Sequence, residues 1–212
     1  MAHGAAGVIA LLAAMLEHPE GAGAAPLLEE ACAWLLAHGV SSEGDGYAAE
    51  VLPGVVTRGA RTAWCYGDLG IAASLSLAAR ALDSRQLAAE ALRAAHRAAA
   101  RSLASTGVVD ASFCHGAAGL AHIFGRLHQL HDDAELERAR RHWLEHTLAL
   151  ARPGEGIGGY RTLQPGGGWS DERGLLEGAA GVGLVLLAAS SEQPPSWDRA
   201  LQLSLRADEE ER

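Results

Sequence analysis

Four GxxG tetrads divide the chain, beginning at Gly4, Gly67, Gly116 and Gly178, at spacings of 63, 49 and 62 residues. Among 44 Ala and 26 Gly a single tetrad says little, but each of these four opens the same kind of segment. Residues 5–16, 71–79, 117–125 and 179–189 contain no charged side chain. A helix without a polar stripe is covered on every side, so these segments predict four buried helices. Segments of the opposite type lie between them. Gln86, Glu90, Arg93, Arg97 and Arg101 form one polar stripe on 86–103. In 134–151, Leu136, Ala139, Trp143, Thr147 and Leu150 share a face that excludes Glu135, Arg138, Arg141 and Glu145. Residues 27–38 repeat the pattern in shorter form, with Glu29 and Glu30. This is helical periodicity.

Buried helix followed by amphipathic helix, repeated, fits a solenoid of helical hairpins or a closed two-layer α/α toroid. The toroid accounts better for the covered helices, because an outer ring wraps an inner one. The expectation is an all-α chain, a partial ring of about four hairpins. The connections 39–62 and 152–175 are Gly-rich and polar, and far longer than the ~2–8 residues usual between bundle helices. They belong at the rim of a site.

A formal net charge of −9 leaves no basic patch to release counterions, which argues against a nucleic-acid partner. No apolar run reaches the ~18 residues of a membrane span. Residues 5–16 have signal-peptide length, yet the first positive residue is Arg58, so a charged n-region is lacking. Cys32, Cys65 and Cys114 are odd in number and widely spaced, which reads as reduced thiols in the cytoplasm.

The polar residues that stand out precede the buried helices: His3, Arg61 with Cys65, and Cys114 with His115. If the inner helices run parallel, these positions converge at one mouth. Thiolate and imidazole are preferred Zn²⁺ ligands, and three protein ligands with an open position is the catalytic pattern. Adjacent Cys114 and His115 can share an ion only if the chain is extended just before the helix. Read from the residues alone, two alternatives stand: a zinc site, or a small buried thiol and a hydrogen-bonded histidine without metal. No CxxC or HxxxH spacing decides between them, and Cys32 reads as a buried hydrophobe.

Trp64-Cys65-Tyr66-Gly67 followed by Cys114-His115-Gly116 resembles the signature pair of the lanthionine synthetase C family, the cyclases of lanthipeptide biosynthesis. Arg61 stands three residues ahead of Trp64, as in that family. His3-Gly4 is similar to its earlier HGxxG motif, Leu176-Glu177-Gly178 to its last one, and Ser196-Trp197-Asp198-Arg199 to its closing segment. The resemblance implies a double ring of seven helical hairpins with zinc at one mouth. It implies Cys65, Cys114 and His115 as zinc ligands, with His3 and Arg61 in proton handling and charge stabilisation. The implied reaction is Michael addition of a peptide cysteine thiol to dehydroalanine or dehydrobutyrine, making a thioether ring.

The implied partner is a dehydrated precursor peptide, with a dehydratase or the absent N-terminal hairpins as further partners. Residues 1–212 then correspond to the C-terminal part of such a domain. Nothing here matches the family's catalytic Asp, and an open half-ring is expected to expose the apolar flanks of its first and last inner helices. A second reading is a non-catalytic zinc- or thiol-binding module. Prenyltransferase-type α/α barrels also activate a thiol at a Cys/His zinc site, but lack this pair of motifs.

Overall fold

The computed structural model describes residues 1 and 3–205, so residues 2 and 206–212 of the expected span lie outside the described residues. Helix α1 (Gly4–Leu16), a 3-10 segment Pro19–Ala24 and α2 (Ala25–His38) form the first hairpin. Helices α3 (Gly67–Ala81) and α4 (Arg85–Ala100) form the second. A single turn, α5 (Leu103–Thr106), leads into the third, made of α6 (Ala117–His131) and α7 (Ala134–Ala149). Strands β1 (Thr162–Leu163) and β2 (Trp169–Ser170) pair antiparallel, with Thr162 opposite Ser170. The chain continues through α8 (Ala179–Ala189) to a 3-10 turn, Trp197–Leu201.

The inner layer follows chain order: α1 packs on α3, α3 on α6 and α6 on α8. Helices α2, α4 and α7 each lie against the inner helix before them, and α4 touches α7. This is an arc of an α/α toroid, with three complete hairpins and the inner helix of a fourth. Among the described residues, the 3-10 turn follows α8 in place of an outer helix. No helix among them is long and apolar enough to cross a membrane.

The outer helices form where the spacing predicts. The Ser84 hydroxyl caps α4 by accepting from Leu87 N (3.3 Å), and Asp133 caps α7 by accepting from Glu135 N (2.9 Å) and Leu136 N (3.1 Å). The buried face of α7 is Leu136, Ala139, Trp143 and Thr147. The inner helices are less uniform than their composition suggests. Helices α3 and α6 are buried all round over residues 67–79 and 117–127. Burial on every side does not hold for α1 and α8, since each has one inner neighbour only. Ile9, Ala10 and Ala13 of α1 are buried, while Leu11 is 54% exposed. On α8, Val182 and Val185 are buried and Leu187 is 64% exposed. The expected open flanks are therefore present.

The long connection 39–66 is tied down rather than loose. Tyr47 is buried, its hydroxyl donates to Glu90 Oε1 (3.2 Å), and the Arg97 guanidinium lies over its ring. Arg97 also donates through Nε (3.1 Å) and Nη2 (2.9 Å) to Asp68 Oδ1, joining α4 to the start of α3.

Three of the four GxxG tetrads have a direct steric cause, whereas a Cβ at Gly4 of the first would meet nothing. A Cβ at Gly70 would overlap Trp64 O, one at Gly119 would overlap Phe113 O, and one at Gly181 would overlap Leu175 O. In all three the obstructing carbonyl lies six residues earlier. The incoming chain crosses over the first turn of α3, α6 and α8. Leading glycines are blocked too: Gly67 by Arg61 O and Gly116 by the Ser112 backbone. A three-residue separation puts both glycines on one helix face, under the crossing chain. Gly183, on the exposed flank of α8, would meet nothing. Gly119→Ala should therefore cost about 3 kcal/mol of unfolding free energy. Gly183→Ala should leave stability unchanged or raise it by about 0.5–1 kcal/mol. Urea denaturation of the two variants checks the contrast, and equal effects would contradict the crossing.

Candidate metal centre

Segments leading into the four inner helices lie side by side, linked at the first junction by the Met1 α-amino group and at the other two by one backbone hydrogen bond each. Met1 N donates to Trp64 O (2.9 Å), Trp64 N to Cys114 O (3.0 Å), and Cys114 N to Leu176 O (2.7 Å). The helix N-termini therefore share one mouth, as parallel inner helices require. This relay puts residues 49 positions apart in sequence into contact: Cys65 Sγ lies 3.7 Å from Cys114 O.

One donor atom each from Cys65, Cys114 and His115 lies within 4.8 Å of the others. The local backbone differs from expectation, because residues 113–115 form a turn rather than an extended stretch. Gly116 N donates to Ser112 O (3.0 Å), closing that turn, and Ser112 N donates to Asp110 Oδ1 (2.9 Å). A tight turn lets adjacent side chains face one point, so the pair converges without an extended chain. Three buried side-chain polar atoms lack a hydrogen-bond partner among the described residues: Thr62 Oγ1, Ser112 Oγ and His115 Nδ1. All three belong to the two segments that carry the cysteines. Buried polar atoms are nearly always paired, so their concentration here marks the site. Two thiols and an imidazole form a soft-to-borderline donor set, suited to a transition metal rather than to calcium or magnesium.

The thiols are electrostatically unequal. A hydrogen bond from Cys114 holds the Cys65 thiol well below the usual range, opposed by burial and reinforced by His115 and the Arg61 charge. The same contact pushes Cys114 up. The pair thus shares one proton as thiol and thiolate. No side chain caps α3, and the partial positive charge of its N-terminus favours a thiolate at the preceding Cys65, whereas the first N–H groups of α6 donate to Asp110 O (3.0 Å) and Ser112 O (3.4 Å). Cys32, on α2, is buried away from such groups, and burial pushes its thiol up to about 11.

Arg61 is exposed, and its aliphatic stem passes Gly107, whose positive φ and missing Cβ leave room for it. Its charge acts on both cysteines. His3, the extended residue before α1, sets its ring edge-on to Tyr66, with centroids 4.7 Å apart. His3, Tyr66 and Cys65 line one cleft of about 210 Å³, together with Trp34, Glu50 and Val51. The residues singled out by sequence therefore share one mouth: three as a donor cluster, Arg61 by its field, His3 through the cleft. Tyr66 as the partner of His3 is a contact that spacing did not reveal. Phe113, like Trp64, directly precedes a cysteine, and that aromatic–Cys pairing was the available signal for both.

A sequence model of the lanthionine synthetase C-like protein family matches residues 1–202. Comparison with curated proteins finds no match. Among solved structures, one titled "Nisin cyclase" superposes with a TM-score of 0.74 at 21% sequence identity, over 96% of this chain and 49% of that one. The chain thus spans about half the length of that structure, and the likeness is one of fold.

In metal-free protein at pH 7, iodoacetamide should modify Cys65 well before Cys32, because only a thiol with a lowered pKa is thiolate there. Peptide mass spectrometry over a time course reads the order. Equal or reversed rates would contradict the thiol–thiolate pair.

Proposed function

The chain belongs to the lanthionine synthetase C-like family, and from that premise we propose that it is the zinc-bearing part of a lanthipeptide cyclase. The observation that carries this reading is the convergence of Cys65, Cys114 and His115 from two repeat starts. Tetrahedral Zn–S and Zn–N bonds of ~2.3 and ~2.0 Å set these donor atoms about 3.5–3.8 Å apart. A set already within 4.8 Å reaches that spacing by small side-chain rotations. The unpartnered His115 Nδ1 fits a ligand role for that residue.

When bound, zinc supplies Lewis-acid activation that holds a substrate sulfur as thiolate at neutral pH. Cys65 and Cys114 enter as thiolates and His115 as neutral imidazole, cancelling the dication's charge. A third, peptide-borne sulfur then keeps its electron density. In the addition, that sulfur bonds to the β-carbon of dehydroalanine or dehydrobutyrine, and the double-bond electrons move towards the carbonyl as an enolate. The α-carbon then takes a proton, so the thiol's hydrogen is replaced there and no oxidant is needed. His3 delivers that proton from across the cleft. Arg61 offsets the charge on the way. The cleft beside Cys65 receives the flanking peptide residues.

Residues 1–212 are read as the C-terminal part of the ring, with further hairpins covering the open flanks of α1 and α8 and supplying the missing acid. The dehydrated peptide is read as the partner, with a dehydratase preceding this step, and the odd number of widely spaced cysteines supports a cytoplasmic setting. The exposed flanks favour a second reading, a zinc- or thiol-binding module without turnover.

Metal analysis of the purified chain should find about one zinc per chain, lost in Cys114→Ala. Retention of stoichiometric zinc in that variant would overturn the ligand assignment. Thioether formation on a dehydrated peptide, read by mass spectrometry after thiol capping, supports the cyclase. Zinc without ring formation supports the binding module.

A further inference from the structure

Each cysteine of the cluster follows an aromatic residue, and the two aromatic rings meet. Trp64 and Phe113 have centroids 6.3 Å apart, at 62°. Both also reach a third partner late in the chain. Trp64 Nε1 donates to Leu201 O (3.2 Å), and Phe113 packs edge-on against Trp197, with centroids 5.6 Å apart at 78°. The segment 195–203 therefore touches the residue before Cys65 and the residue before Cys114 together.

That segment is itself fixed in register by charge. Asp198 is wholly buried and accepts from Arg126 Nε (2.6 Å), Arg126 Nη2 (3.0 Å) and His122 Nε2 (2.9 Å). Arg126 Nη2 also donates to Pro195 O (2.9 Å). The His122 ring lies 4.7 Å from that of Trp197. His122 and Arg126 stand one turn apart on α6, whose N-terminus carries Cys114-His115. A buried ion cluster adds little net stability over a packed apolar one, because desolvation offsets the attraction. Its forked hydrogen bonds do define geometry. Here they set the height of Trp197 and of the Leu201 carbonyl beneath the two aromatic residues.

We propose that Trp197 and Asp198 are positioning residues for the metal centre: through Phe113 and Trp64 they fix the separation of Cys114 and Cys65. The proposal rests on the zinc reading above. Groups beyond the ligands that orient them typically change metal affinity by about 10–100-fold when removed. Contact here runs through backbone neighbours, so the lower end applies.

The test measures zinc affinity by chelator competition, and ligand geometry from the visible spectrum of the cobalt(II)-loaded chain. Trp197→Ala and Asp198→Asn should each weaken zinc binding by about tenfold and shift the cobalt ligand-field bands. Trp197→Phe, which keeps an aromatic edge against Phe113, should bind to within about threefold of wild type. Leu136→Ala, which cuts a buried side chain from α7, controls for a general loss of stability and should bind as wild type does. Far-UV circular dichroism establishes that each variant is folded; if Trp197→Ala is not, Asp198→Asn carries the test. Wild-type affinity and spectrum in the folded Trp197→Ala or Asp198→Asn variant would overturn the proposal, as would an equal loss in Leu136→Ala. A wild-type chain that takes up no metal overturns the zinc reading itself, which separates the two failures.

Discussion

The backbone relay across the mouth of the arc is the constraint on which the site depends. Trp64 N to Cys114 O and Cys114 N to Leu176 O tie three pre-helix segments into one register. A hydrogen bond of this kind contributes about 1 kcal/mol net, so the relay is not what holds the fold together. Stability comes from α3 and α6, which bury apolar surface on every side. What the relay provides is position: it converts a 49-residue separation into adjacency of two sulfurs. The glycines make that possible, because only a bare α-carbon lets the incoming chain lie directly on the helix it is about to enter.

A site arranged this way carries its own penalties. Buried Thr62, Ser112 and His115 atoms lack partners, and two thiols must share a proton in a half-buried place. A polar group left unpaired in the interior costs roughly 1–3 kcal/mol. Packing alone would not select such a cluster at the junction of two repeats. A cation bound there would answer the thiol pair and the unpartnered His115 together, so for His115 the donor chemistry and the unsatisfied atom point the same way.

Much of the architecture was legible because it is written in side-chain periodicity. The α7 face of Leu136, Ala139, Trp143 and Thr147 follows from spacing, as does the alternation with uncharged helices. The family resemblance rested on Trp64-Cys65-Tyr66-Gly67 and Cys114-His115-Gly116, and the match over residues 1–202 supports it. Other features were hidden for physical reasons. The relay consists of backbone groups, which every residue carries, so no side-chain pattern announces it. The turn at 113–115 depends on Gly116 N reaching Ser112 O, a local closure that the assumption of an extended chain missed. The half-exposure of α1 and α8 depends on how many neighbours each has, and composition reports only what a helix could bury. The place of Trp197 against Phe113 depends on a contact 72 residues long in sequence, between Asp198 and Arg126.

The central claim is that Cys65, Cys114 and His115 hold one metal ion between two repeat starts. X-ray absorption at the zinc edge of the metal-loaded chain tests it most directly. Two protein sulfur scatterers near 2.3 Å and one nitrogen near 2.0 Å, completed by a light-atom solvent ligand, are the predicted shell. A shell of nitrogen and oxygen alone, or one containing a single sulfur, would contradict it.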